Sequence, residues 1–374
     1  MPVRFNADVE LKLEVGFNSS GPYDTGFTWT DISGFLREFD TDRGRLFELD
    51  DVPVGVADFV LVNDDRRFDA DSTGAAYHPN VKLRKPVRFQ AIHSGTTYGL
   101  YYGYVGGWNQ RVQDLTVPRT VLTVVDGQAV LGPWETSTTG PEEEAHVRVG
   151  RLLDSANWTA GLRQLDTGGV TVAAYSPVCA DVLQEIGRVA KTEDGLFFMD
   201  TDGNATFHTN SHRTGSTSIV TITDTGGGLN YTEPFVRDYD DKQVWNDVTV
   251  AAVGVTPQAA DSTASVDAYG RRKMKQFDTL HVNATGAQDT AAGLVARFKD
   301  PVTRIPSVTL DGQSDTGLWP HVLGRDISDR VTVRHASRSS TTGTYSADHH
   351  VEGVRHVGSV NGDWTVDWLL SPAT

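Results

Sequence analysis

A chain of 374 residues is long enough for two to four domains and for several buried cores. Its 38% hydrophobic and 22% charged residues are those of an ordinary globular chain, with no apolar window approaching the roughly 18 residues of a membrane span. The formal net charge of −16 argues against a nucleic-acid-coating protein, which would be basic; it fits simple solubility, and equally a channel wall that DNA slides past without sticking.

The 37 glycines, with abundant Thr, Val, Asp and Ser, favour strands and tight turns over long helices. Residues 1 to about 130 read as mostly strand. Glu10-Leu11-Lys12-Leu13-Glu14-Val15 alternates polar and apolar, as a half-buried strand does. Val56–Asn63 carries Ala57, Phe59 and Leu61 on one face and Val60 and Val62 on the other, which suits a strand covered on both sides. Lys85-Pro86 opens a further strand, and Tyr98–Trp108 is its expected hairpin partner.

Residues 141–215 change character. Pro141-Glu142-Glu143-Glu144 places acids where a helix N-terminus favours them, and Ala145, Val149, Leu152, Leu153 and Ala156 follow at helical spacing. Ser176-Pro177 predicts a second helix start, with Val178, Val182, Ile186, Val189 and Ala190 as its apolar stripe. Thr201-Asp202-Gly203-Asn204 between two short apolar runs predicts a hairpin. From residue 240 the strand pattern returns. It is interrupted by one helix carrying Ala291, Leu294, Val295 and Phe298, and its spacing suggests a second antiparallel barrel. Cys179 is the single cysteine; it cannot form an internal disulfide and is expected to be buried filler. The N-terminal residues carry no apolar leader, so folding in a cytoplasm is expected.

One ordered set of segments resembles the tail-hub family of siphophage tail tips. Trp29-Thr30-Asp31-Ile32-Ser33, the Gly44-Arg45 pair, the strand ending at Asn63 followed by Phe68-Asp69, and Leu100–Trp108 recur there in order. Further segments continue it: Asp181, Leu183 and Ile186; Asp194-Gly195 through Gly203; Asn246–Val250 with Ser265, Tyr269-Gly270 and Arg272. Leu318–Leu323, Ile327–Val331, Val351–Val354 and Trp364–Pro372 complete the set.

The resemblance implies a mainly β fold: a tube-like β-barrel over residues 1–135, an α+β region over 136–240, and a second tube-like barrel with one helix over 241–374. It implies a homotrimer whose six barrels make a pseudo-sixfold ring, joining a sixfold tail tube to a threefold tip. The implied partners are a distal tail protein ring, the C-terminus of the tape measure protein and other tail-tip or receptor-binding proteins, with DNA passing the lumen without specific binding. The chain stops at Thr374 after the last expected strand, so host binding is expected to lie in other proteins. Arg-, Ala- and Gly-rich usage suggests a GC-rich genome and an actinobacterial host.

No catalytic, cofactor-binding or metal residue is assigned, and no cofactor is expected. His-Glu-x-x-His, Gly-x-Ser-x-Gly, P-loop and dinucleotide fingerprints are all missing from the sequence. Asn63, Asp64, Asp65, Asp69 and Asp71 lack the spacing of a calcium loop and suit a solvated loop. Asp348, His349, His350 and His356 could suggest a metal, but strand alternation puts His350 and His356 on one side and His349 on the other, a polar rim. Glu142–Glu144 suit a helix start better than a glycosidase pair. Arg43, Arg45, Arg271, Arg272, Lys273 and Lys275 are either surface charge or bridges to neighbouring subunits. Two rival functions remain: a hexameric distal tail protein, with one barrel and a peripheral carbohydrate-binding-like domain, and a glycan-binding or wall-degrading protein. In the latter Trp29, Trp108, Trp134 and Trp158 would stack on sugars, although packing explains them better.

Overall fold

The computed structural model describes residues 3–5, 8–111, 118–224, 228–232, 236–336, 344–360 and 362–373. The fold is mainly β, with several sheets and shorter helical parts. The alternation of Val9–Val15 buries Val9, Leu11, Leu13 and Val15, and this strand pairs antiparallel with Pro86–His93, Val15 opposite Val87. Pro86–His93 turns back into Thr96–Arg111 through Ser94 and Gly95, both at positive φ, the conformation a tight hairpin requires. The sheet continues through Arg119–Val125, Val56–Val62 and Leu36–Gly44.

Leu36–Gly44 then pairs with Thr344–Ser359, more than 300 residues later in the chain, Gly44 opposite Gly353. Thr344–Ser359 is a long strand with two neighbours on the same edge. Its first half pairs with Arg330–Ala336 and its second half with Leu36–Gly44, while Trp364–Pro372 runs along the other edge and carries Ser307–Leu310. The two ends of the chain therefore build one 13-stranded sheet. They also share one core, in which Phe39 meets Phe89 and Trp364 at ring-centroid distances of 5.0 and 5.2 Å. The strand order does not return to its start, so no closed barrel is found among the described residues.

The middle region is α+β. Helix Ala145–Ser155 starts four residues later than Pro141, because Glu143–Glu144 is extended and pairs with Thr171–Val172. The second helix is Val182–Glu193, with Asp181 rather than Ser176 at its N-cap position. Cys179 at φ 45° turns the chain, and Ala180–Asp181 pairs with Glu135–Thr136 before the helix begins. Val178, expected in the apolar stripe, is 84% exposed, whereas Val182, Ile186, Val189 and Ala190 are buried as expected. The hairpin Leu196–Met199 with Ala205–His208 forms as expected. Its turn is held by Asp200 Oδ1, which accepts from the N–H groups of Asp202 and Asn204.

Residues 247–298 depart from the expected barrel. Asp247–Ala252 pairs antiparallel with Gln258–Asp261 and parallel with Lys273–Thr279, and the parallel pair is reached through helix Thr263–Tyr269. Helix Ala284–Phe298 lays Ala287, Ala291, Leu294, Val295 and Phe298 on Val248 and Val250, a core separate from that of the main sheet. Asn246 pins this unit. Its Nδ2 donates to the Gly270 carbonyl at 2.8 Å and to Ser265 Oγ at 3.1 Å, and its Oδ1 accepts from the Arg272 N–H at 2.7 Å.

Candidate functional site

The point where the two ends of the chain meet is a β-bulge at Glu352. Val351 pairs with Leu370 and Gly353 with Leu369, so one residue is left over and the strand changes neighbour there. Gly44, at φ 104°, lies against this bulge; a Cβ there would overlap the Glu352 carbonyl oxygen and the Gly353 Cα. The next residue closes the joint: the Arg45 N–H donates to the Glu352 carbonyl at 2.9 Å, and Arg45 Nε donates to Glu352 Oε2 at 2.7 Å. Arg213, from the short helix Asn210–Thr214, reaches the same carboxylate from the middle region, its Nη1 donating at 3.2 Å to Oε2. Ser371 Oγ donates to Oε1. Glu352 is fully buried. Burial alone would raise its pKa, but the guanidinium groups of Arg213 and Arg45 outweigh that and hold its carboxyl far below the usual carboxylate range. One buried carboxylate thus ties together the first sheet strands, the middle region and the last strands.

This corrects the expectation for two of the basic residues. Arg45 is 8% exposed and Arg43 is 4% exposed; Arg43 Nη2 donates to Asp326 Oδ1 at 2.7 Å and its Nη1 to the Met199 carbonyl at 3.2 Å. Neither is available to a neighbouring subunit. Arg271 and Lys273, at the surface, share Asp247, Arg272 meets Asp241, and exposed Lys275 sits near the Phe277 ring.

The other singled-out residues are dispersed. Asp65 pairs with Arg67, Asp69 with Arg66, and Asn63 Oδ1 caps the Phe68 N–H, so the acidic loop is closed by its own arginines; Asp64 and Asp71 lie on its exposed side. Glu143 accepts from Arg148 at 2.6 Å and from Arg151 at 2.7 Å and does not cap the helix; Glu142 is exposed, and Glu144 contacts His146. Asp348 is held by Arg330 and Thr332. His349, His350 and His356 are all buried, which overturns the polar rim. The Glu352 bulge also reverses the expected facing: Val351 and Val354, three residues apart, both enter the core, so His349 and His356 share its side. Burial pushes His349 and His350 down to about 4 and His356 to about 3.

Cys179 is exposed rather than buried. The four tryptophans are engaged within the chain. Trp158 is buried, and Trp108 stacks on Phe68 at 5.6 Å. Trp134 Nε1 donates to the Tyr23 hydroxyl at 2.6 Å, and Trp29 lies under the Arg88 guanidinium at 4.5 Å.

Two features escaped the sequence reading. One is a groove of about 890 Å³ between segment 48–54, helix Val182–Glu193 and strand Lys273–Thr279, with Val54 and Phe277 exposed on its rim. The other is a cluster of Asp166, His208 and His212, whose ligand atoms lie within 4.8 Å of one another. The only sequence signal for it is the four-residue spacing of the two histidines, and Asp166 is brought in by parallel strand pairing.

No protein-family model matches the sequence, and no curated protein sequence matches it. Solved structures do match over nearly the full length. The chain is similar to the 43 kDa tail protein of prophage MuSo2 from Shewanella oneidensis, with 14% identity, a TM-score of 0.61, and 97% of this chain and 98% of that one covered. It is also similar to the tail protein from Neisseria meningitidis MC58, with 13% identity, a TM-score of 0.62 and 96% of each chain covered. From end to end, then, the chain has the fold of these two tail proteins.

Proposed function

We propose that this chain is a structural protein of a phage tail, the baseplate hub at the tail's distal end. The observation that carries the reading is the end-to-end likeness to two tail proteins in a sheet that joins both ends of the chain. In this reading the strands of residues 9–125 and those of 307–372 are the two tube-like units of each subunit. Three subunits then supply six units to a ring that joins the sixfold tube to the threefold tip. The Glu352 clamp fixes the angle between the two units, which a ring that must close requires.

The ring would seat the tape measure C-terminus and adjoin the distal tail protein ring and the receptor-binding proteins. The net charge of −16 would keep DNA moving through the lumen. A non-contractile tail is the class the sequence motifs resemble, and an actinobacterial host is proposed on residue usage alone. The role proposed is structural rather than enzymatic.

Immunogold labelling of purified particles tests the assignment. Gold at the distal tip of the tail is expected, whereas particles that carry no label under denaturing detection would overturn it.

A further inference from the structure

The cluster of Asp166, His208 and His212 is built by three neighbouring pieces of chain. Strand Arg163–Leu165 runs parallel to Ala205–His208, Leu165 beside Phe207, and the Asp166 N–H donates to the Phe207 carbonyl at 2.9 Å. Asp166 therefore emerges next to His208. Helix Asn210–Thr214 then folds back and sets the His212 ring on the His208 ring, with centroids 3.6 Å apart and planes 10° from parallel. Asp166 Oδ2 accepts from the Thr209 N–H at 3.2 Å and lies 2.9 Å from His212 Nδ1.

His208 Nδ1 is buried and has no hydrogen-bond partner among the described residues. Buried polar atoms are rarely left so, because the desolvation cost is not recovered. A neutral imidazole has one ring nitrogen with a lone pair to offer a metal ion. Two imidazole nitrogens and one carboxylate oxygen form a common three-ligand set for a borderline divalent ion, with water in the fourth position.

We propose that Asp166, His208 and His212 form a binding site for a divalent transition ion of the Zn²⁺ class. An ion with bonds of about 2.1 Å needs its tetrahedral ligand atoms about 3.4 Å apart. The present spacing of at most 4.8 Å is closed by turning the exposed His212 ring, which must also leave the parallel stack so that its nitrogen points at the ion. The site has a consequence for the clamp. His212 precedes Arg213, so an ion on His212 would fix the short helix that delivers Arg213 to Glu352. The ion would act as a structural lock on the joint between the middle region and the last strands.

Isothermal titration of the full, chelator-treated chain with Zn²⁺, paired with Co²⁺ absorption in the visible, tests this. One ion per chain with micromolar or tighter affinity is expected, together with a Co²⁺ band. His208→Ala and Asp166→Asn should each weaken binding by about 100-fold and remove the band. His212→Gln, at an exposed position, supplies the same test if His208→Ala fails to fold. Absence of binding, or binding that His212→Gln and His208→Ala leave unchanged, would overturn the proposal and assign any bound ion to other surface histidines.

Discussion

Arg45 and Glu352 stand 307 residues apart in sequence and 2.7 Å apart in space, and the bond between them braces the seam where both ends of the chain meet in one sheet. The carboxylate has two arginine partners and the arginines have one carboxylate between them. Removal of the acid should therefore do most harm. Glu352→Gln leaves both guanidinium groups facing a neutral amide, and we expect a loss of about 3–5 kcal/mol. Arg45→Met leaves the Glu352–Arg213 pair intact and should cost distinctly less. Urea unfolding of both variants at neutral pH checks the order, and the reverse order would mean that the clamp is held mainly from the first strands.

Gly44 makes the same joint from the backbone side. Its φ of 104° is one that L side chains rarely adopt, and any Cβ would strike backbone atoms, which cannot rotate away. Gly44→Ala should cost about 3 kcal/mol or more, read as a lower urea midpoint with an unchanged slope. Gly74→Ala has open space around its Cβ and should cost far less.

Much of this was legible in the sequence, but not the joint itself. Alternation is enough to find Val9–Val15, since a half-buried strand has few other ways to read, and Lys85-Pro86 marks the start of Pro86–His93. The Gly44-Arg45 pair stood out as a motif, yet its partner Glu352 could not be chosen, because no local rule links residues so far apart. The strand at Asn246–Val250 is legible, but its parallel partner Lys273–Thr279 is not, because pairing across helix Thr263–Tyr269 is decided by the tertiary fold. Ser176-Pro177 is a sound helix start signal that lost to the left-handed turn at Cys179. A strict two-residue period misplaces the three histidines, because the bulge at Glu352 reverses it.

Those histidines contribute to the acid response. His349, His350 and His356 are neutral when folded, with values pushed to about 4, 4 and 3 by burial, whereas an unfolded histidine titrates near 6.5. Below pH 6.5 the unfolded chain binds protons that the folded chain refuses. Their contribution is therefore full above that pH and is lost as pH drops toward 4 and 3, while buried Asp126, raised to about 6, works in the opposite sense. Each histidine contributes about 1.4 kcal/mol per pH unit within its window. Glu352, depressed far below its ordinary value, adds a further loss that begins only below about pH 4.3. Urea unfolding at pH 7.5, 6.0, 5.0 and 4.5 should show the first slope, and His356→Leu should reduce it by one histidine's share. A slope that His356→Leu leaves unchanged would contradict the buried, neutral state of His356.

The central claim, that this chain forms a threefold hub ring in a phage tail, is tested most directly by its copy number per particle. Quantitative mass spectrometry of purified virions, referenced to the major tail protein, should give three copies. Six copies would contradict the trimeric hub in favour of a hexameric distal tail protein, and none would remove the structural role altogether.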